Sequence, residues 1–363
     1  MKHYKANLDE YINPDSKVQI ISTFSGCGGL DLGATLNKYN VISSLENNLD
    51  CVETLKSNKV FSKTKHIFED IRNIRTSDFN DSLKLYNPEK LIFLGGPPCQ
   101  PFSKAGYWVE EKKRLGSDDP RNMIDHYINL IGEILPDGFI LENVESILHP
   151  KNLPYVESIQ NRIINIGYKL KTLKLNSADF GVPQKRKRVF FIASKEEINK
   201  DFLPTHGNEK SRLKNKNLKP WEGVKEWIEE YSSEEYSDGY DSAEGKYFED
   251  LKKIKMGKNY MCLTEKYNYP TPKFKAGSRY WTFLLKLHPE YPSNTIISSP
   301  GHWEGPFHWE NRRLRIKELA AIQTFPSDYN FRGSRRSIIK QIGNAVPPLL
   351  SKKIVKYLAE NIK

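Results

Sequence analysis

Cysteine is scarce. In 363 residues it occurs four times, at Cys27, Cys51, Cys99 and Cys262. No two stand at metal-ligand spacing, and four cannot staple a chain of this length. That argues against a disulfide scaffold, gives no metal site, and reads as reduced thiols in a cytoplasmic compartment. Long apolar runs are missing too. Nothing approaches the roughly 18 residues of a membrane span, and the polar start, Met1-Lys2-His3-Tyr4-Lys5, lacks the apolar core of a leader. The chain is therefore expected to be neither secreted nor membrane-embedded. There is no internal repeat and no long low-complexity tract, which removes solenoids and disordered linkers. What is present is ordinary for a globular protein: 38% hydrophobic and 28% charged residues, in a length that accommodates two domains. The charge is one-sided. A formal +11 and a pI near 9.2 suit a polyanionic partner, because Lys and Arg replace counterions on phosphates.

The most informative stretch runs from Leu91 to Ser103. Leu91-Ile92-Phe93-Leu94 reads as a buried strand. It stops at Gly95-Gly96-Pro97-Pro98, and Cys99 follows. Core packing is the usual fate of a cysteine, but this turn is too polar and stiff for a core. A strand gives a covalent catalyst a fixed base, and prolines aim it into a cleft. Other short apolar strands are expected at 18–24, 41–45, 66–68 and 138–141, alternating with helices that include one over 123–135. Such alternation predicts a parallel α/β sheet, in which ligands bind beyond the carboxyl ends of strands. Residues 1–16 read as a loose arm. From about 195 the alternation fades into Lys-, Tyr- and Pro-rich chain, and regularity returns near 311.

Five chemically useful positions fall at those strand ends. Phe24-Ser25-Gly26-Cys27-Gly28-Gly29 joins a strand to a helix. Its glycines allow close backbone approach and the helix N-terminus favours an anion, but the spacing is not the dinucleotide fingerprint with three spaced glycines. It fits a smaller nucleoside bearing a carboxylate; a plain tight turn is the bland alternative. Glu46, about twenty residues on, is placed to accept ribose hydroxyls, and Asp70 to meet an adenine amino group; alone, either is more often a solvated surface acid. Glu142, at the end of a buried strand, would have its pKa raised by desolvation and could donate a proton near neutrality. In Gln184-Lys185-Arg186-Lys187-Arg188, Arg186 and Arg188 alternate onto one side, where a guanidinium could bond a base carbonyl.

In order along the chain, these segments resemble the C5-cytosine-specific DNA methyltransferases of bacterial restriction-modification type. The resemblance rests on Phe24 to Gly29, Gly95 to Ser103, Glu142-Asn143-Val144, Gln184 to Arg188, Arg312-Arg313-Leu314 through Gln323-Thr324-Phe325-Pro326, and Gln341 to Pro348. It covers the whole chain except 195–310. It implies an α/β, Rossmann-like S-adenosylmethionine-dependent methyltransferase sheet with a second, smaller, irregular target-recognition domain. The division would be 1–194 catalytic and cofactor-binding, 195–310 target-recognition, and 311–363 returning to the catalytic domain. The implied cofactor is S-adenosyl-L-methionine, with Phe24, Gly26, Gly29, Leu30, Glu46, Asp70, Ile71, Pro98, Asn344 and Val346 around it. The implied reaction flips a cytosine from double-stranded DNA. Cys99 adds to C6, Glu142 protonates N3, Arg188 sits at O2 and Arg186 supports the loop, while Gln100, Ser103, Arg121 and Thr295 meet the substrate. The loop 104–120 would close over the base. A monomer is implied, acting on nucleoid DNA, with a separately acting restriction endonuclease as companion. Lys187 departs from the family, which often has an acid there. The rival reading is the tRNA-modifying branch of the same family.

Overall fold

The computed structural model describes residues 7–13, 15–98 and 123–362. Cys99, Gln100, Ser103, Arg121 and the loop 104–120 lie outside the described residues. The described chain is organised on seven strands: β1 (Val18–Thr23), β2 (Asn40–Glu46), β3 (Lys65–Phe68), β4 (Lys90–Gly95), β5 (Gly138–Val144), β6 (Lys169–Asn176) and, after the two-residue β7 (Gln184–Lys185), β8 (Lys187–Ser194). Their order across the sheet is β3-β2-β1-β4-β5-β8-β6. Alternate residues of each strand enter opposite layers. Ile20, Ile92, Leu94, Ile140, Phe190 and Ile192 pack into one core, and Ile21, Phe93, Phe139, Leu141, Val189 and Phe191 into the other. Helices α1 (Gly29–Thr35), α9 (Ile316–Ile322) and α11 (Pro348–Ala359) cover the first face. Helices α3 (Asn80–Tyr86), α4 (Met123–Ile134) and α5 (Leu153–Asn165) cover the second.

The expectation of a parallel sheet needs one correction. β1 to β5 are parallel, but β8 runs antiparallel to both β5 and β6. The reason is the length of the connection. Ten residues join β6 to β8, and part of them forms a turn closed by Gly181 at φ +88°. That reverses the chain but is too short for a crossover helix. The loose arm expected over 1–16 is also corrected over its described part. Leu8 is buried in the first core, and Asp9 pairs with Lys59. One well-placed leucine is enough to dock a polar segment.

Local chemistry accounts for the remaining elements near the sheet edge. Asn48 caps α2 (Leu49–Lys56) by accepting the Cys51 amide at 3.2 Å. Ser334 caps the start of α10 (Arg335–Asn344), which runs through Gly343 and Asn344. α11 starts on Pro347-Pro348 and buries Leu350, Ile354, Val355 and Leu358. It crosses α1 so closely that a Cβ on Gly33 would lie 2.2 Å from Ser351 Oγ, which itself donates to the Leu30 carbonyl at 2.8 Å. The C-terminal helix is thus a structural part of the first layer.

Between β8 and α9 regular structure is sparse. The two-residue strands β9 (His206–Gly207) and β10 (Lys219–Pro220) pair with each other, and β11 (Ser293–Asn294) pairs with β7. Three short helices, α6 (Glu209–Lys214), α7 (Lys225–Ile228) and α8 (Phe248–Lys253), lie in the same segment. Val224, Trp227, Ile228, Tyr231, Leu287 and Ile296 join the first core, whereas Ala243, Leu251, Ile254, Tyr260, Leu263, Phe283, Leu284 and Phe307 form a third cluster of their own. Among the described residues no helix is long and apolar enough to cross a membrane.

Candidate active site

The reversal of β8 has a chemical consequence. Because it is antiparallel to β5, its first residues lie at the same edge as the last residues of β5. Val144 pairs with Arg188 and Glu142 with Phe190. Paired residues share a face, and so do residues two apart, so Glu142 and Arg188 are diagonal neighbours on the first-layer face. Arg188 Nε stands 2.9 Å from Glu142 Oε1, and both side chains are largely buried. Burial raises the Glu142 carboxyl above the usual carboxylate range, and the two guanidiniums of Arg188 and Arg186 pull it back only in part.

The turn after β4 covers this pair. A Cβ on Gly96 would lie 3.2 Å from Glu142 Oε2, so the carboxyl sits directly under the glycine backbone. Asn143 Nδ2 donates to the Pro97 carbonyl at 3.3 Å, tying the turn to β5. Gly95 is required for a different reason: a Cβ there would lie 2.3 Å from the Tyr127 ring of α4. Tyr127 in turn donates to the Ile140 carbonyl at 2.9 Å. The exposed Pro98 then leads into Cys99. The three described cysteines are held as thiols. Burial pushes Cys27 well up, Cys51 to about 12, and Cys262 upward. A thiol kept protonated is a poor nucleophile.

Arg186 is almost wholly buried. Its Nη2 donates to the Asn344 carbonyl at 3.1 Å, while Nε and Nη1 have no hydrogen-bond partner among the described residues. Gln184, two residues earlier, donates to Gln323 and accepts the Ile296 amide at 3.3 Å. Thr295 Oγ1 donates to the Lys185 carbonyl at 2.9 Å. The 184–188 run is thus the place where β8, the end of 195–310 and the C-terminal segment meet. Sequence reasoning assigned nothing to Gln184, Asn143 or Tyr127. For Asn143 and Gln184 the available signal was a polar residue inside a buried run, which must find a partner.

A second group of candidate residues lies at the ends of β1, β2 and β3. Phe24 and Gly26 both turn through φ +54°, and a Cβ on Gly26 would meet nothing within 4 Å. The Gly26 amide donates to Glu46 Oε2 at 2.8 Å, and Glu46 Oε1 accepts the Asn47 and Asn48 amides. Burial raises the Glu46 carboxyl, opposed by those amides and by Lys340. Gly29 backs onto the C-terminal segment: a Cβ there would lie 2.4 Å from the Val346 carbonyl. Leu30 and Ile71 are buried, in the first and second cores respectively. Asp70 differs from Glu46. It accepts from Arg72 Nε at 2.9 Å, Nη2 at 2.8 Å and the Arg72 amide, and this pairing holds its carboxyl at about 2. Asp31 was not singled out in the sequence. It has no exposed surface, and burial lifts its carboxyl to about 7. The open space above Gly26, the acid at the end of β2 and the small residues of the turn fit a nucleoside with an amino-acid tail.

A model of the C-5 cytosine-specific DNA methylase family matches residues 18–360. The chain is 33% identical over 371 residues to the type II methyltransferase M.SacI of Streptomyces achromogenes, covering 95% of this chain and 94% of that protein. It is 30% identical to the type II methyltransferase M1.HphI of Haemophilus parahaemolyticus, covering 96% and 88%. Among solved structures, a Spodoptera frugiperda DNMT2 variant aligns with a TM-score of 0.65 at 17% identity, over 94% of this chain and 99% of that one. The Entamoeba histolytica methyltransferase EhMeth aligns at 0.63 and 16%, over 96% and 99%. At such identities the structures speak to the α/β Rossmann-like methyltransferase fold.

Proposed function

The chain belongs to the C-5 cytosine-specific DNA methylase family and is a DNA (cytosine-5-)-methyltransferase, and we propose that it methylates a flipped cytosine of duplex DNA with S-adenosyl-L-methionine bound at the β1–β2 edge. When bound there, that cofactor supplies an activated methyl group on sulfur. Phe24, Gly26, Gly29, Leu30 and Ile71 would border it, with Glu46 on the ribose, Asp70 towards the adenine and Pro98, Asn344 and Val346 closing the side nearest the reacting base. The Cys99 thiolate adds to C6 of the cytosine. Glu142 gives its proton to N3, and Arg188 holds O2, so the electrons pushed in by sulfur reach a neutralised ring. C5 then takes the methyl group. Loss of the C5 proton to a base expels Cys99 and restores the ring. Arg186 braces the edge through Asn344. Gln100, Ser103, Arg121 and Thr295 serve the DNA side of the cleft.

The observation that carries this reading is the Glu142–Arg188 pair, buried beneath Gly96 three residues before Cys99. A raised carboxyl is a usable acid near neutrality, and the guanidinium beside it offers planar N–H donors to a base carbonyl. We take 195–310 as the target-recognition segment and the enzyme as a cytoplasmic monomer, the modification half of a type II restriction-modification pair. Incubation with cofactor labelled in the methyl group, offering plasmid DNA or tRNA, tests the substrate. Label is expected on duplex DNA as 5-methylcytosine. Transfer to tRNA alone would replace this reading.

A further inference from the structure

Charge is strongly segregated within the 195–310 segment. Residues 226–250 hold ten acids against one base, Lys246, for a net −9. Residues 251–281 hold eight bases against one acid, Glu265, for a net +7, which is most of the chain's formal +11. The acidic run is partly spent inside the molecule. Asp241 binds Arg315 Nε at 2.7 Å and Asp238 binds Arg335 Nε at 2.9 Å, fastening it to the C-terminal segment. The basic run is spent on nothing comparable. All eight of its cations are exposed, and among the described residues only Lys252 has a carboxylate within ion-pair distance.

Two large rings end the basic run. Tyr280 is 68% exposed and Trp281 62% exposed. Their backbone, however, is fixed from below. Buried Asn259 donates through Nδ2 to the Trp281 carbonyl at 2.7 Å. The buried Tyr260 hydroxyl donates to the Arg279 carbonyl at 2.9 Å and accepts the Arg279 amide at 3.3 Å. Tyr260, Phe274 and Phe283 interlock edge to face beneath, with centroids 5.5 to 5.9 Å apart. A rigid aromatic base therefore presents two rings to solvent that the fold does not use. Exposed Trp and Tyr on a fixed backbone lose little entropy on contact and gain much apolar burial.

We infer that Tyr280 and Trp281, flanked by Lys273, Lys275 and Arg279, form the surface with which this chain grips duplex DNA. The rings meet bases in a groove and the cations meet phosphates. The inference rests on the reading of duplex DNA as substrate. Charge selects the partner: seven net positive charges in one short, exposed and acid-poor segment favour a polyanion. Two acids of the 226–250 run, Asp238 and Asp241, are paired inward and are not offered to a second copy, whose association is instead an outcome of the test.

The test uses the full-length protein and a duplex carrying the site mapped by bisulfite sequencing of host plasmid. Tyr280→Ala/Trp281→Ala is expected to lose about 100-fold in kcat/KM on that duplex, the scale on which truncating Trp and Tyr anchors weakens an interface. It should also methylate sites the wild type ignores. Trp281→Phe should recover most of the loss. Lys273→Ala/Lys275→Ala should weaken binding to all duplexes alike and reduce the salt slope by about 2. Leu85→Ala, an equally exposed apolar residue on α3, should change nothing, and all variants should bind S-adenosyl-L-methionine like the wild type. An active wild type with an unchanged ring variant overturns the inference, as does a ring variant altered only in oligomeric state. A wild type that leaves duplex DNA unmethylated overturns the substrate reading instead. Duplex affinity by fluorescence anisotropy then decides the surface, with equal affinity of wild type and ring variant overturning it.

Discussion

The sheet edge and the 251–281 surface hold their functional groups by different means. At the edge, Glu142 and Arg188 sit on strands, and their meeting is dictated by the register of β5 against β8. On the 251–281 surface no described strand is present. The backbone on either side of Tyr280, at Arg279 and Trp281, is held by side-chain bonds from Tyr260 and Asn259 above a cluster of rings. A reacting group must be placed to a fraction of an ångström, which strands and buried partners provide. A recognition group needs a fixed backbone but an outward side chain whose identity the fold leaves free. The first kind of site is rigid in composition, and the second can change target without disturbing the core.

Substitutions can break that contrast, taken from the largest effect to the smallest. Cys99→Ser should abolish methyl transfer while leaving duplex affinity within about twofold, measured by gel shift, because a hydroxyl at neutral pH is a far weaker nucleophile than a thiol. Glu142→Gln should lower single-turnover methylation by about 100- to 1,000-fold, the range of a lost general acid. The sign of its pH dependence follows from the raised carboxyl. The acid is loaded below its folded pKa and empties as pH rises through it, so the wild-type rate should carry a limb that falls with rising pH. Glu142→Gln should lack that limb. These two changes should spare sequence preference, whereas the Tyr280/Trp281 variant should alter it.

Smaller effects sharpen the picture of the cofactor pocket. Glu46→Gln keeps the size of the side chain but removes the charge that accepts the Gly26, Asn47 and Asn48 amides. Affinity for S-adenosyl-L-methionine, measured by calorimetry, should fall about tenfold, the scale of one charge-assisted hydrogen bond. Asp31 should act on stability rather than turnover. Its carboxyl binds a proton more tightly in the fold, at about 7, than unfolded, at about 3.8. Its contribution is therefore complete below the unfolded value and is lost as pH rises through 7. Asp31→Asn should remove that slope and be the more stable form at pH 8 by up to roughly 4 kcal/mol, the free-energy equivalent of the pKa rise. Denaturant titration at pH 5 and pH 8 measures the difference.

Much of the sheet edge was legible in the sequence because its signals are local. A buried run ending at Gly95-Gly96-Pro97-Pro98, a glycine turn after Phe24 and an acid closing β2 each announce a strand end within a few residues. The antiparallel β8 was not legible, since pairing between β5 and β8 is a contact between residues about fifty apart in the chain. The need for Gly95 lay in Tyr127, thirty-two positions on, and the docking of Leu8 lay in a core assembled from the far end of the chain. In 251–281 the lysines and aromatics were plain. What fixes the backbone at Arg279 and Trp281 is the pair Asn259 and Tyr260, polar groups whose partners are backbone carbonyls with no sequence signature.

The central claim is that Cys99 attacks the base while Glu142 and Arg188 receive the electrons. A duplex carrying 5-fluorocytosine at the mapped site tests it most directly, because fluorine cannot leave C5 as a proton does. With cofactor present, the wild type is expected to form a protein–DNA adduct that survives denaturation, and peptide mapping should place the bond on Cys99. Cys99→Ser should form none. Absence of the wild-type adduct, or its attachment at another residue, would contradict the mechanism.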